Sequence, residues 1–178
     1  MGVSKVAYRY AQSLLDLSKE QNVLDKVNGD MEQLAGVCKE SKEFQNLLNS
    51  PIIDSEKKTE VFKAVFESKM EKMSLDFMNL ILKNSRERLL PEIAEGFVKL
   101  YKQDKNILDV TVISATKLDA AAKESIVTKI KSKFDGTIEM NEEIDPELIG
   151  GFIVRIDDQQ IDASIASQLA NLKNILLN

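Results

Sequence analysis

Two adjacent glycines, Gly150 and Gly151, precede the apolar run "FIVRI", which leads into an acidic turn, Asp157-Asp158, and an Asp-x-Ser at 162–164. Glycines between a strand and a helix N-terminus can cradle a phosphate, because the backbone N–H groups there point at the anion. Here the pair comes before the strand, no lysine follows within reach, and no G-x-x-x-x-G-K-[ST] occurs. The neighbourhood is also anionic, with Glu142, Glu143, Asp145, Glu147, Asp157 and Asp158. The glycines therefore read as a bend or bulge that brings the strand close to its neighbour. Asp157 and Asp158 point apart in a turn and have no third ligand in register, so they read as a solvated turn. Asp162 and Ser164 read as caps of a last helix. Arg155 falls on the strand face opposite Val154 and Ile156, where an ion pair and a binding role are both open.

The remaining candidate chemistry is thinner still. The chain has no histidine, which removes the commonest general base and metal ligand. The one cysteine, Cys38, sits among helical apolar residues in "MEQLAGVCKE" and reads as a buried structural thiol. No catalytic constellation emerges, and neither cofactor nor metal is expected. The residues point to binding.

At 178 residues the chain can hold one domain or two small ones. Its 43% hydrophobic and 30% charged residues are those of a globular protein. The longest strongly apolar run, "FMNLIL", is far short of the ~18 residues of a membrane span. Lys5, Arg9 and Asp16 break up what would be a signal-peptide core, so a cytoplasmic protein is expected. Residues 1–105 carry 17 basic and 17 acidic side chains, whereas 106–178 carry 7 and 12. All the net negative charge lies in the second part, the wrong sign for a nucleic-acid binder.

Up to residue 105 the pattern is helical throughout. Val3, Val6, Ala7, Tyr10, Ala11, Leu14, Leu15 and Leu17 form an apolar face wider than one packing stripe needs. Val23, Val27, Met31, Leu34 and Cys38 continue the period. "EFQNLLN" stops before Ser50-Pro51, since a residue preceding proline avoids the helical region. Asp54 is placed to cap "SEKKTEVFKAVFESK", with Val61, Phe62, Val65 and Phe66 expected inward. "SLDFMNLILKNS" and "ERLLPEIAEGFVKLYKQDK" complete six helices, with a kink or helix start at Pro91. Beyond residue 105 the period turns to 2 in "NILDVTVISA". Asp119 caps a helix bearing Ile126, Ile130 and Phe134. "GTIEMNEEI" and "GGFIVRIDDQQI" are two further strands, and "DASIASQLANLKNILL" is a closing helix with Ile165, Leu169, Leu172 and Leu176 in register. The expected fold is mainly α: a six-helix bundle over 1–105, then a small α+β domain over 106–178.

The stretch "IDPELIGGFIVRIDDQQIDASIASQLANLKNIL" resembles the C-terminal signature of the δ subunit of F-type ATP synthases, the oligomycin-sensitivity-conferring family. Ile144-Asp145, Gly151, Ile153, Arg155, Ile161-Asp162, Ser164 and Leu169/Leu172 carry the match. "VAYRYAQSLLDLS" is similar to that family's first helix through Ala7, Tyr10 and Ala11, and "NSRERLLPEIAEGF" to its Asn-x-Arg-x-x-x-Leu-Pro segment. Tyr8-Arg9 departs from the Arg-Pro common in that first helix. The resemblance covers the whole chain. It implies a peripheral-stalk subunit without an active site, which keeps the catalytic head from turning with the rotor. The helical domain would hold the N-terminal helix of an α subunit and the second domain the far ends of b-type stalk helices. It would meet the membrane only through the complex, at the cytoplasmic face of a bacterial plasma membrane. The implied groove lies between the first and fifth helices, with Tyr10, Ser13, Leu14 and Leu17 facing Phe77, Leu80, Ile81 and Asn84. Of the signature, Asp145, Gly150, Gly151, Arg155, Asp162 and Ser164 are the candidate site residues of the second domain. A different helical adaptor would share this architecture.

Overall fold

The computed structural model describes residues 4–131, 134, 136–146, 148, 150–156 and 159–164. The chain divides into two compact units, Met1–Tyr101 and Lys102–Asn178.

The first unit is helical. Its elements are α1 (Lys5–Glu20), α2 (Leu24–Glu40), α3 (Lys42–Asn49), α4 (Ser55–Phe66), α5 (Lys72–Lys83), a 3₁₀ turn (Glu87–Leu89) and α6 (Leu90–Asp104), whose end from Lys102 on belongs to the second unit. Local chemistry sets several of these boundaries. The Ser4 hydroxyl accepts from the Ala7 amide to open α1, and the Ser41 hydroxyl accepts from the Phe44 amide to open α3. Asp54 occupies the N-cap of α4 without its side chain accepting a capping bond. Pro91 falls in the first turn of α6, where a missing N–H costs nothing. The core gathers one stripe from each helix, including Leu14, Met31, Leu34, Leu48, Phe66, Met78, Ile81, Leu82, Ile93 and Phe97. Phe44, Phe62 and Phe66 pack as a cluster of tilted and edge-on rings, with centroids 5.1–5.9 Å apart. On α4 the buried stripe is Lys58, Phe62 and Phe66, at i, i+4 and i+8. That phase turns Val61 and Val65 outward, against the sequence-based expectation. Lys58 is the surprise in this stripe. It is 2% exposed and donates to Glu87 Oε1 at 2.5 Å and to the Ser50 carbonyl at 2.8 Å.

The second unit has β1 (Ile107–Ser114), α7 (Ala120–Lys131), β2 (Thr137–Ile144), β3 (Gly151–Ile156) and β4 (Gln159–Ser164). The strands form one sheet in the order β2-β1-β3-β4. β1 and β2 are parallel, as a strand–helix–strand crossover requires, while β3 pairs antiparallel with both β1 and β4. Leu108, Val110 and Val112 of β1, Ile138 and Met140 of β2, and Phe152, Val154 and Ile156 of β3 pack with Ile126 and Ile130 of α7. The Asp119 carboxylate accepts from the Ala122 amide at 2.7 Å, the expected cap. Gly136 is required by space: a Cβ there would lie 2.3 Å from the Asn106 carbonyl oxygen.

The structure corrects the end of the sequence-based account. The run read as one strand, followed by a capped helix, is instead a two-stranded pairing. Asp162 is opposite Ile153 and Ser164 opposite Gly151, so these residues belong to β4 and not to a helix start. Their side chains, the Asp157-Asp158 turn, Glu147, Val3 and the expected closing helix at 165–178 lie outside the described residues. The reason for the correction is tertiary. β3 would be left with an unpaired edge, and residues 159–164 satisfy it.

Candidate functional site: an open seam between two helices

α1 buries Ala7, Ala11, Leu14, Leu15 and Ser18, and α5 buries Ser74, Met78, Ile81 and Leu82. Beside each buried stripe runs a second one at helical spacing: Val6, Tyr10, Ser13 and Leu17 on α1, and Met73, Phe77, Leu80 and Asn84 on α5. Val6 is 44% exposed, Leu17 43% and Leu80 50%.

Two cavities open along these stripes. One, of about 710 Å³, is lined by Val6, Arg9, Tyr10, Ser13, Arg86 and Leu89. The other, of about 610 Å³, is lined by Leu17, Val23, Met73, Asp76, Phe77 and Leu80 among others. The first joins the start of α1 to residues following α5, and the second joins the end of α1 to the start of α5. The helices are therefore antiparallel and the cavities lie end to end on one seam. From Val6 to Gln21 the seam runs about 22 Å at the helical rise.

Tyr10 stands between the cavities. Its ring meets Phe77 edge-on at 6.4 Å, and its hydroxyl accepts from Arg86 Nη1 at 2.6 Å. The guanidinium carbon is 5.6 Å from the same ring centroid, a cation–π geometry. Backbone chemistry delivers Arg86 to this place. α5 ends with Ser85 at φ 55°, and the Arg86 amide donates to the Ile81 carbonyl at 3.0 Å. A left-handed residue just past a helix reverses the chain, here carrying Arg86 back over α1.

Of the eight residues expected in the groove, five line the cavities: Tyr10, Ser13, Leu17, Phe77 and Leu80. Leu14 (1% exposed) and Ile81 (0%) lie beneath the seam, in the core. Asn84 is the exposed C-cap residue of α5 and lines neither cavity. Sequence reasoning missed Val6, Arg9, Asp76 and Arg86 as lining residues. The quoted "NSRERLLP" contained Arg86, but only the turn at Ser85 reveals where it goes.

In the second unit, Gly150 and Gly151 have φ of 144° and 79°, conformations that L side chains rarely adopt, so the pair is a backbone bend. The Asp145 amide donates to the Ser114 carbonyl at 2.9 Å. Arg155 is exposed, and its Nε donates to Gln160 Oε1 at 3.3 Å, across the β3–β4 pair. Lys102 pairs with Asp109 at 2.6 Å and Glu139 at 2.9 Å. Burial lowers its pKa, but these two carboxylates outweigh that and leave it raised. Cys38 is buried, and burial, helped by nearby Glu95, pushes its thiol up to about 12, so it stays protonated and unreactive. Among the described residues there is no group of three or more His, Cys, Asp or Glu set to hold a metal. No described helix is long and apolar enough to cross a membrane.

These features define a class: a helical bundle that displays an open, half-apolar inter-helix seam, followed by a small α+β unit. The profile of the ATP synthase delta (OSCP) subunit family matches residues 6–176. The chain is 33% identical to the ATP synthase subunit delta of Cytophaga hutchinsonii over 174 residues, which cover 98% of it and 95% of the relative. It is 34% identical to that of Parabacteroides distasonis, with 99% and 98% covered. Its fold is similar to that of a chain in the Toxoplasma gondii mitochondrial ATP synthase hexamer, with TM-score 0.77, 22% identity, and 98% and 99% of the two chains covered. The chain belongs to the ATP synthase delta (OSCP) subunit family, whose members are peripheral-stalk components of the F-type ATP synthase.

Proposed function

We propose that this protein is a non-catalytic stator coupling, in which the helical unit captures the N-terminal helix of an α subunit and the second unit holds the b-type stalk. The seam between α1 and α5 carries the first half of this reading. Two long helices leave aliphatic side chains half in water beside an aromatic pair, a surface that suits the apolar face of an amphipathic helix. The acidic surplus of residues 106–178 supports the second half, since it suits a basic stalk terminus. Both units act peripherally, at the cytoplasmic face of a bacterial membrane, and reach it only through the complex.

Calorimetric titration of the full chain tests the division of labour with two peptides, one from the α-subunit N-terminus and one from the far end of the b stalk. Both bind, and a form ending at residue 105 loses the stalk peptide while keeping the α peptide. Retention of the stalk peptide by the shortened form refutes the assignment of the second unit. Failure of the α peptide to bind the full chain refutes the seam.

A further inference from the structure

Resting on the seam reading above, we propose that one end of the seam is a carboxylate clamp, in which Arg9 and Arg86 grip an acidic side chain of the docked helix. The clamp thereby sets which way round that helix lies.

The charges along the seam are uneven. The cavity of Val6, Tyr10, Ser13 and Leu89 includes two cationic residues, Arg9 and Arg86, and no acidic one. The opposite cavity is close to balanced: Glu71 and Asp76 stand with Lys72, and Glu71 is paired with Lys26 at 3.1 Å. An acidic residue of an incoming helix thus has one favourable end.

The two cations are also available. Arg9 makes no side-chain ion pair or hydrogen bond with the described residues. Three carboxylates of the first unit have partners of their own: Glu87 holds Lys58, Glu92 accepts from the Ser4 amide, and Asp16 accepts from Gln12. Arg86 gives one N–H to the Tyr10 hydroxyl, and a guanidinium has five. It can keep Tyr10 and still present a planar fork to a carboxylate, a geometry that lysine cannot match. Tyr10 serves as a positioning residue, since its ring and hydroxyl hold the guanidinium over α1. The apolar stripe supplies area without direction, and the clamp supplies direction.

A synthetic amphipathic helix of about 18 residues tests this. It carries glutamates in the turns at one end, and its counterpart has glutamines there. Two exposed charge pairs should give the full-length protein about a fivefold preference for the glutamate peptide at low salt. The preference disappears in Arg9→Gln/Arg86→Gln and in 1 M salt, where screening acts within about 3 Å. A nitroxide on the acidic end broadens the amide signals of Val6 and Arg9, and spares Gln21. Equal binding of the two peptides to the unaltered protein, or broadening centred on Gln21, overturns the clamp and leaves the seam intact. Binding of neither peptide overturns the seam itself.

Discussion

Leu80 and Ile81 are neighbours in sequence, and their substitution should have opposite consequences. Leu80 is 50% exposed and lines a seam cavity, whereas Ile81 is 0% exposed in the core. Full burial of a leucine side chain is worth about 1.5–3 kcal/mol, so the exposed half of Leu80 can contribute about 1 kcal/mol on docking. Leu80→Ala should therefore weaken capture of the α-subunit peptide about fivefold, at 1.4 kcal/mol per decade. Leu80→Asp loses the same contact and sets a carboxylate under the docked helix, a combined penalty of about 3 kcal/mol and more than 100-fold. Neither should change stability much beyond about 0.5 kcal/mol, because the site is surface in the free protein. Ile81→Val removes one buried methyl and should cost about 0.5–1.5 kcal/mol of stability, with peptide affinity unchanged. For a unit of this size that is a fall in Tm of roughly 3–10 °C. Tyrosine emission suits the stability measurement. The three tyrosines, Tyr8, Tyr10 and Tyr101, all belong to the first unit, and the chain has no tryptophan. Calorimetry supplies the affinities. Unchanged peptide affinity in both Leu80 variants would refute the reasoning, and so would a fall in Tm above about 10 °C for Leu80→Ala.

Two further outcomes follow from buried or tethering polar groups. Lys58→Met leaves the Glu87 carboxylate, whose Oε2 already has no hydrogen-bond partner, buried without its cation. The expected loss is about 3–5 kcal/mol, and Lys58→Met/Glu87→Leu should recover most of it; a double variant no better than the single one shows that packing, not charge, sets the cost. Glu92 ties down the start of α1, and its hydrogen bonds from the Ser4 side chain and amide hold its pKa below the ordinary 4.5. A depressed folded value means that the unfolded state takes up the proton first. The stabilisation is therefore present above 4.5 and is lost as pH falls through the folded value. The stability gap between the unaltered protein and Glu92→Gln, read by urea titration, should be constant above pH 4.5 and close below it. A gap that widens on acidification contradicts the tether.

Periodicity made much of the architecture legible. The break at Ser50-Pro51, the cap at Asp119 and the change from period 3.6 to 2 near residue 105 each rest on local backbone chemistry, and each appears where expected. The same reasoning misplaced side chains whose environment depends on a neighbour. Val61 and Phe62 are equally apolar, yet only the phase at which α4 meets the core separates them. Asp162 and Ser164 have the composition of a helix cap, but they pair with Ile153 and Gly151 of β3 as part of β4, a cross-strand partnership that local composition does not convey. A lysine in a helix core is outside what polarity patterns convey, because Lys58 depends on Glu87, 29 residues away.

For the site, the sequence by itself determined that α1 has more apolar surface than its own packing consumes, and that the family resemblance spans both parts of the chain. Only the tertiary structure decided which residues of that face stay in water. An amphipathic stripe specifies a helix face to within about 100°, while burial is settled by how the helices of the bundle pack, which buries Leu14 in the core and leaves Leu17 half exposed. The basic end of the seam was equally beyond the sequence. Arg9 and Arg86 are brought together by the chain reversal at Ser85, a local backbone conformation whose consequence is visible only once both helices are in place.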